Sequence, residues 1–219
     1  MKKYKAAIFD MDGTLLDSMA FWRNLAPEYL RSNGVIASDD LVDQLSQVNI
    51  STAVDIIVRR FDLQLSPKTV LQDFIEILAD YYHNKAVFKP GVEKFLQKLQ
   101  EKNIDSVVFS STPEYLLRPA LKNLHAAEYF TKGIISCDTV KYNKNSVEAF
   151  HAAASVFNTA SEKIMVFEDA WYAAVTAAKA GFGVTVVADK EEKRSAELRG
   201  IADFYIENSF EEFPVELFF

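Results

Sequence analysis

The sequence predicts an α/β fold: a mainly parallel sheet whose first strand is separated from the others by an all-helical insertion. Three observations carry this. Short apolar runs stop at acidic, glycine- or serine-containing segments, as buried parallel strands do. Segments with apolar residues at helical spacing lie between them, and strand, helix, strand at this rhythm builds a parallel sheet. From residue 17 to about residue 88 the rhythm lapses and no strand-like run occurs.

Residues 5–9 are the first strand, ended by Asp10-Met11-Asp12-Gly13-Thr14. The insertion reads as amphipathic helices over 21–33, 39–45, 51–61 and 67–83. Asn33-Gly34 closes the first as a C-cap would. Ser66 before Pro67 opens the last, an N-cap followed by proline at the first helical position. Lys89-Pro90-Gly91 marks the return to the sheet, and Val92, Phe95, Leu96 and Leu99 share one face of a helix over 92–102. Residues 104–109 form the next strand, stopped by Ser110-Ser111-Thr112 before a helix opened by Pro113. Residues 133–136 and 204–206 are shorter strand candidates. Helices over 146–157 and 172–180 flank a strand at 164–167 that stops at Glu168-Asp169, and 183–188 is a further strand stopped by Asp189. Residues 211–219 read as a last packed turn.

Composition limits the partners. A chain of 219 residues with 49% hydrophobic and 25% charged residues builds a core and is not disordered. Its net charge of −7, with no basic run, repels nucleic-acid backbones. One cysteine, Cys137, makes neither an intrachain disulfide nor a multi-cysteine zinc site. No apolar stretch is long enough for a signal peptide or a membrane span, so the expectation is a soluble cytoplasmic protein, a monomer or weak homodimer.

The chemistry gathers at strand ends. Ligands of open parallel sheets bind beyond the carboxyl ends of the strands. Asp10 and Asp12, two residues apart on extended chain, face one side, and Gly13 lets the backbone turn beside them. Glu168-Asp169 ends another strand. Four carboxylates converging on one cleft cannot all stay ionised without a cation, and an all-oxygen donor set suits Mg²⁺. The hydroxyls and N–H groups of Ser110 and Ser111 make an anion cradle. Asp-Gly is also a common turn pair, but a turn alone does not account for the second acidic pair.

With these residues in view, the chain resembles the haloacid dehalogenase superfamily, in its branch with a helical cap, over nearly its whole length. Asp10-Met11-Asp12-Gly13-Thr14 matches the family's first motif, Ser110 its second, and Phe167-Glu168-Asp169 with Ala178-Lys179-Ala180-Gly181 its fourth. The third is a lysine: Lys144, in Asn143-Lys144-Asn145, best fits the spacing, with Lys141 as competitor. The resemblance implies a doubly wound, Rossmann-like parallel-sheet core over 1–16 and 88–219, and an all-helical cap over 17–87. It further implies that Asp10 is the nucleophile, forming an aspartyl-phosphate, and that Asp12 is the general acid–base. Mg²⁺ would then be held by Asp10, the Asp12 carbonyl and Asp169, with Glu168 assisting. Ser110 and Lys144 would bind the phosphoryl oxygens. Trp22, on the first cap helix, is a candidate substrate contact, and so is the polar loop at 46–49.

Three activities compete within the resemblance. Dehalogenases lack an acid at the Asp12 place and need no Mg²⁺. Mutases resembling β-phosphoglucomutase carry a histidine twelve residues after the nucleophile, where this chain has Trp22. Hydrolysis of a small phosphorylated metabolite therefore comes first, with a sugar phosphomutase as the alternative. Asp17-Ser18-Met19-Ala20-Phe21-Trp22 looks like the generic small-molecule phosphatases of bacteria. An inactive binding or regulatory homologue is the third reading, opposed by the intact Asp10, Asp12, Ser110 and Asp169.

Overall fold

The computed structural model describes residues 4–45, 48 and 50–219. The chain forms two compact units, one of Met1–Asp17 with Ala86–Phe219 and one of Ser18–Lys85. The first opens with β1 (Ala6–Phe9); the second holds α1 (Met19–Ser32), α2 (Asp39–Leu45), α3 (Ile50–Phe61) and α4 (Pro67–Asn84). The first unit then continues through α5 (Val92–Glu101), β2 (Asp105–Ser110), α6 (Glu114–Asn123), β3 (Ile134–Ser136) and α7 (Cys137–Val140). It closes with α8 (Val147–Ala154), β4 (Ile164–Glu168), α9 (Trp171–Lys179), β5 (Gly183–Val187), α10 (Ser195–Ile201), β6 (Phe204–Ile206) and α11 (Val215–Phe218). No described helix is long and apolar enough to cross a membrane.

Among the described residues six strands make one sheet in the order β3-β2-β1-β4-β5-β6, every pair parallel. This is the doubly wound, Rossmann-like arrangement, and the order reverses at β1, where a crevice opens at the carboxyl ends. All four residues of β1 are buried, because helices cover both faces of a parallel sheet. Alternation assigns them to two cores. Ile8 packs with Val107, Phe109, Phe150 and Ala174 beneath α8 and α9. Phe9 stacks on Phe167 at 4.5 Å between ring centroids and meets Phe95 of α5 at 6.0 Å. Leu16 pairs antiparallel with Phe88, so the chain leaving the α/β unit and the chain returning to it run side by side.

In the helical unit, Ser66 caps α4 by accepting from the Thr69 N–H at 3.1 Å, and Gly34 follows α1 with φ of 76°. Phe21 stacks on Tyr81 at 3.8 Å, a pair that ties α1 to α4.

Several boundaries differ from the sequence reading. The strand expected at 104–109 is Asp105–Ser110: parallel pairing of Ser110 with Ser136 draws the serine into the sheet. The helix expected over 146–157 ends at Ala154, where the Ser155 hydroxyl turns back to the Ala152 carbonyl at 2.7 Å. The short α7 and α10 were not expected, since four and seven residues carry too little periodicity to be read.

Candidate active site

Asp10 directly follows β1, and its N–H donates to the Phe167 carbonyl at 3.0 Å, which holds it against the end of β4. The chain then folds back sharply. The Met11 carbonyl accepts from the Leu15 N–H at 3.0 Å and the Leu16 N–H at 2.8 Å, and Gly13 sits at φ of 81°, a left-handed conformation that glycine takes without strain. This turn seats Thr14, fully buried, with its hydroxyl donating to Asp169 at 2.9 Å. Across the crevice the Thr112 hydroxyl donates to Asp12 at 2.9 Å, and the Thr112 N–H donates to Ser110 Oγ at 3.0 Å.

Lys144 reaches in from the loop between α7 and α8. It is 3% exposed, its ammonium bonded to Asp10 Oδ1 and, at 2.6 Å, to Glu168 Oε1. Lys141 caps α7 in a left-handed conformation with its side chain exposed. The geometry thus brings Asp10, Lys144, Glu168 and Asp169 together, and links Asp12 to Ser110 through Thr112. Ser111 is exposed, its hydroxyl 3.7 Å from the sulfur of buried Cys137. Trp22 lies in the helical unit, where its indole N–H donates to the Tyr82 hydroxyl at 3.2 Å. Of the loop at 46–49, residues Ser46, Gln47 and Asn49 lie outside the described residues.

Sequence reasoning assigned no site role to Thr14, Thr112 or the Lys89–Asp189 ion pair, closed at 2.8 Å, in which Lys89 also donates to the Ala188 carbonyl at 2.8 Å. Thr14 and Thr112 sat inside motifs already singled out, so hydroxyls beside carboxylates were the available signal. The lysine had none, because its partner is a hundred residues away in the chain.

The electrostatics explain why these groups need one another. Burial pushes the Asp10 carboxyl up to about 7; Lys144 opposes the shift and the neighbouring Glu168 adds to it. Burial, then the charges of Asp10 and Glu168, hold Asp169 well above the usual carboxylate range against Lys89 and the Thr14 hydroxyl. Burial alone would lower the Lys144 ammonium, but Asp10 and Glu168 overcome it and keep it charged. Carboxylate oxygens of Asp10, Glu168 and Asp169 lie within 4.8 Å of one another. When all three are ionised, the carboxylates against one ammonium leave two negative charges on buried oxygen donors, a donor set and charge that fit a hard divalent cation.

A cation must compete with protons here. Because the folded site raises the carboxyls of Asp10 and Asp169, it holds protons near neutrality that a cation displaces. Mg²⁺ affinity is expected to rise between pH 6 and pH 8 with release of protons, measured by calorimetry in buffers of different ionisation enthalpy. An affinity flat across that range would contradict the raised carboxyls.

Residues 4–181 match the family described as haloacid dehalogenase-like hydrolase. A phosphorylated carbohydrates phosphatase of Thermotoga maritima is 25% identical over 177 residues, covering 81% of this chain and 82% of the relative. A validoxylamine A 7'-phosphate phosphatase of Streptomyces hygroscopicus is 27% identical over 198 residues, covering 89% and 92%. The solved structure of a β-phosphoglucomutase from Clostridium difficile superposes with a TM-score of 0.74 at 18% identity, covering 98% of this chain and 95% of its own, and shares the fold. The chain belongs to the haloacid dehalogenase-like hydrolase family.

Proposed function

We propose that this enzyme hydrolyses phosphomonoesters of small metabolites, carrying the phosphoryl group on the carboxylate of Asp10. The observation that supports it best is the pairing of buried Asp10 with Lys144 at the one place where β1, β2 and β4 end together. In this reading Asp10 attacks phosphorus, and the Asp12 carboxyl, steadied by Thr112, gives its proton to the departing alcohol. Asp12 then takes a proton from the water that cleaves the acyl phosphate. Lys144 and Ser110 bind the phosphoryl oxygens and offset their charge. Thr14 fixes the rotamer of Asp169, and Glu168 anchors Lys144. Asp10, Asp169 and the Asp12 carbonyl would hold Mg²⁺, with Glu168 assisting. When bound, that ion supplies charge neutralisation at the phosphoryl group.

Three relatives named as phosphatases make carbohydrate phosphates, validoxylamine A 7'-phosphate and glycerol 3-phosphate the first substrates to test. Phosphate release with Mg²⁺ should be seen from at least one of them and should stop on chelation. Mutase activity separates cleanly from hydrolysis. A mutase must keep water from its aspartyl-phosphate until a second sugar hydroxyl arrives, and indole, with one donor and no acceptor, cannot replace the imidazole that mutases carry at the Trp22 place. With β-glucose 1-phosphate as substrate, phosphate should therefore accumulate in step with substrate loss, without a bisphosphorylated activator. Glucose 6-phosphate formed without free phosphate would overturn the hydrolase assignment.

A further inference from the structure

Lys89 is anchored at two places. Its backbone N–H donates to the Leu15 carbonyl at 2.9 Å, on the turn that follows β1. Its ammonium donates to the Ala188 carbonyl and to Asp189 Oδ2, each at 2.8 Å, directly beyond β5. In the sheet β4 lies between β1 and β5, so β1 and β5 are two strand spacings apart, about 10 Å. The lysine side chain therefore spans the interval in which β4 ends. Glu168 pairs in register with Val186, which sets Asp169 level with Val187, one residue short of the Ala188 anchor. At the other anchor, Leu15 directly follows Thr14, whose hydroxyl holds Asp169 at 2.9 Å.

The far anchor is itself fixed. The Ala188 N–H donates to the Ile206 carbonyl at 2.8 Å, and Asp189 Oδ1 accepts from the Glu191 N–H at 2.9 Å. The same segment holds the chain just past Asp169: the N–H of Trp171, first residue of α9, donates to Glu192 Oε2 at 3.1 Å. The side chains of Lys89 and Asp189 are 11% and 7% exposed, and a buried ion pair seldom adds stability over apolar side chains of similar size. Its effect falls on the site instead. The Lys89 charge opposes the raising of the Asp169 carboxyl by burial and by Asp10 and Glu168.

We propose that Lys89 is a positioning residue: with Asp189 it forms a strut across the end of β4 that keeps Thr14 and Asp169 in the geometry that binds Mg²⁺. This rests on the proposal that Asp169 holds the ion. Lys89 acts through Asp169 and takes no part in moving the phosphoryl group.

Mg²⁺ affinity, measured by calorimetry at pH 8 without substrate, tests this. Lys89→Met/Asp189→Asn removes the strut without changing the net charge of the pair or leaving a carboxylate buried without its cation. It should weaken Mg²⁺ binding about tenfold, the lower end of the cost of losing a group that orients a metal ligand. In turnover, kcat at saturating Mg²⁺ should fall less than about threefold, so the change appears in the ion requirement. Lys89→Gln alone should also weaken binding, although loss of a positive charge by itself would tighten a cation site. Lys89→Arg, which keeps N–H donors for both acceptors, should stay within about threefold of the unmodified enzyme. Unchanged affinity in the double variant, tighter binding by Lys89→Gln, or Lys89→Arg as weak as the double variant would each overturn the proposal. If the double variant does not fold, the direction of the change in Lys89→Gln decides. Failure of the metal assignment reads differently: Asp169→Asn would then bind Mg²⁺ as tightly as the unmodified enzyme, and the strut's proposed role would fall with it.

Discussion

Asp10→Asn is expected to lower phosphate release at least about 10⁴-fold, because in the mechanism proposed above it removes the nucleophile. The loss should come without unfolding. Asparagine has nearly the same volume, and the site disfavours the charged form it replaces. The sign follows from the shift: a carboxyl held at about 7 in the fold, against 3.8 outside it, makes its ionised form costly, so stability falls as pH rises from about 4 through 7. At pH 8 without Mg²⁺ the variant should melt no lower than the unmodified enzyme, and Mg²⁺ should stabilise it less, since stabilisation follows the ratio of ligand concentration to dissociation constant. Scanning calorimetry with and without the ion reads both. A variant that keeps full turnover would remove Asp10 from the mechanism.

Lys144→Ala should reduce kcat by about 10²–10³-fold, the usual cost of losing one charged partner of a developing phosphoryl transition state, whereas Lys141→Ala should stay within about twofold. The asymmetry comes from placement. One ammonium is buried between Asp10 and Glu168, and the other side chain is exposed at the end of α7. Lys144→Ala also leaves buried carboxylates without their cation, a loss of about 3 kcal/mol where they are ionised. That loss should shrink toward pH 6 as raised carboxyls take up protons, so the variant's deficit in melting temperature is larger at pH 8. Denaturation at the two pH values checks the direction. If Lys141→Ala were the damaging change, the lysine would be misassigned.

How much of this was legible in the sequence depended on the range of the interaction that carried it. The buried strands announced themselves through local apolar runs, because a strand covered on both faces is built mainly from apolar residues; the run ending at Phe9 shows this directly. The helical insertion was legible through its spacing and caps, Ser66 with Pro67 above all, since capping uses groups only three residues apart. Asp10 and Asp12, with Gly13 between them and the turn, could be read as a site because one short segment holds them all. The shorter elements escaped, as α7 and α10 are stabilised by what they pack on rather than by their own pattern.

What the sequence by itself determined was therefore the α/β fold with its helical insertion and the acidic ends of β1 and β4 as the place for chemistry. It also narrowed the lysine to two neighbours. Only the tertiary structure decided which of them reaches Asp10 across 134 residues, and that Thr112 reaches across 100 to hold Asp12. The reason is physical. Periodicity, capping and turns are written in neighbouring residues, whereas a salt bridge or a hydroxyl's partner exists only once the sheet has brought distant strand ends to one edge.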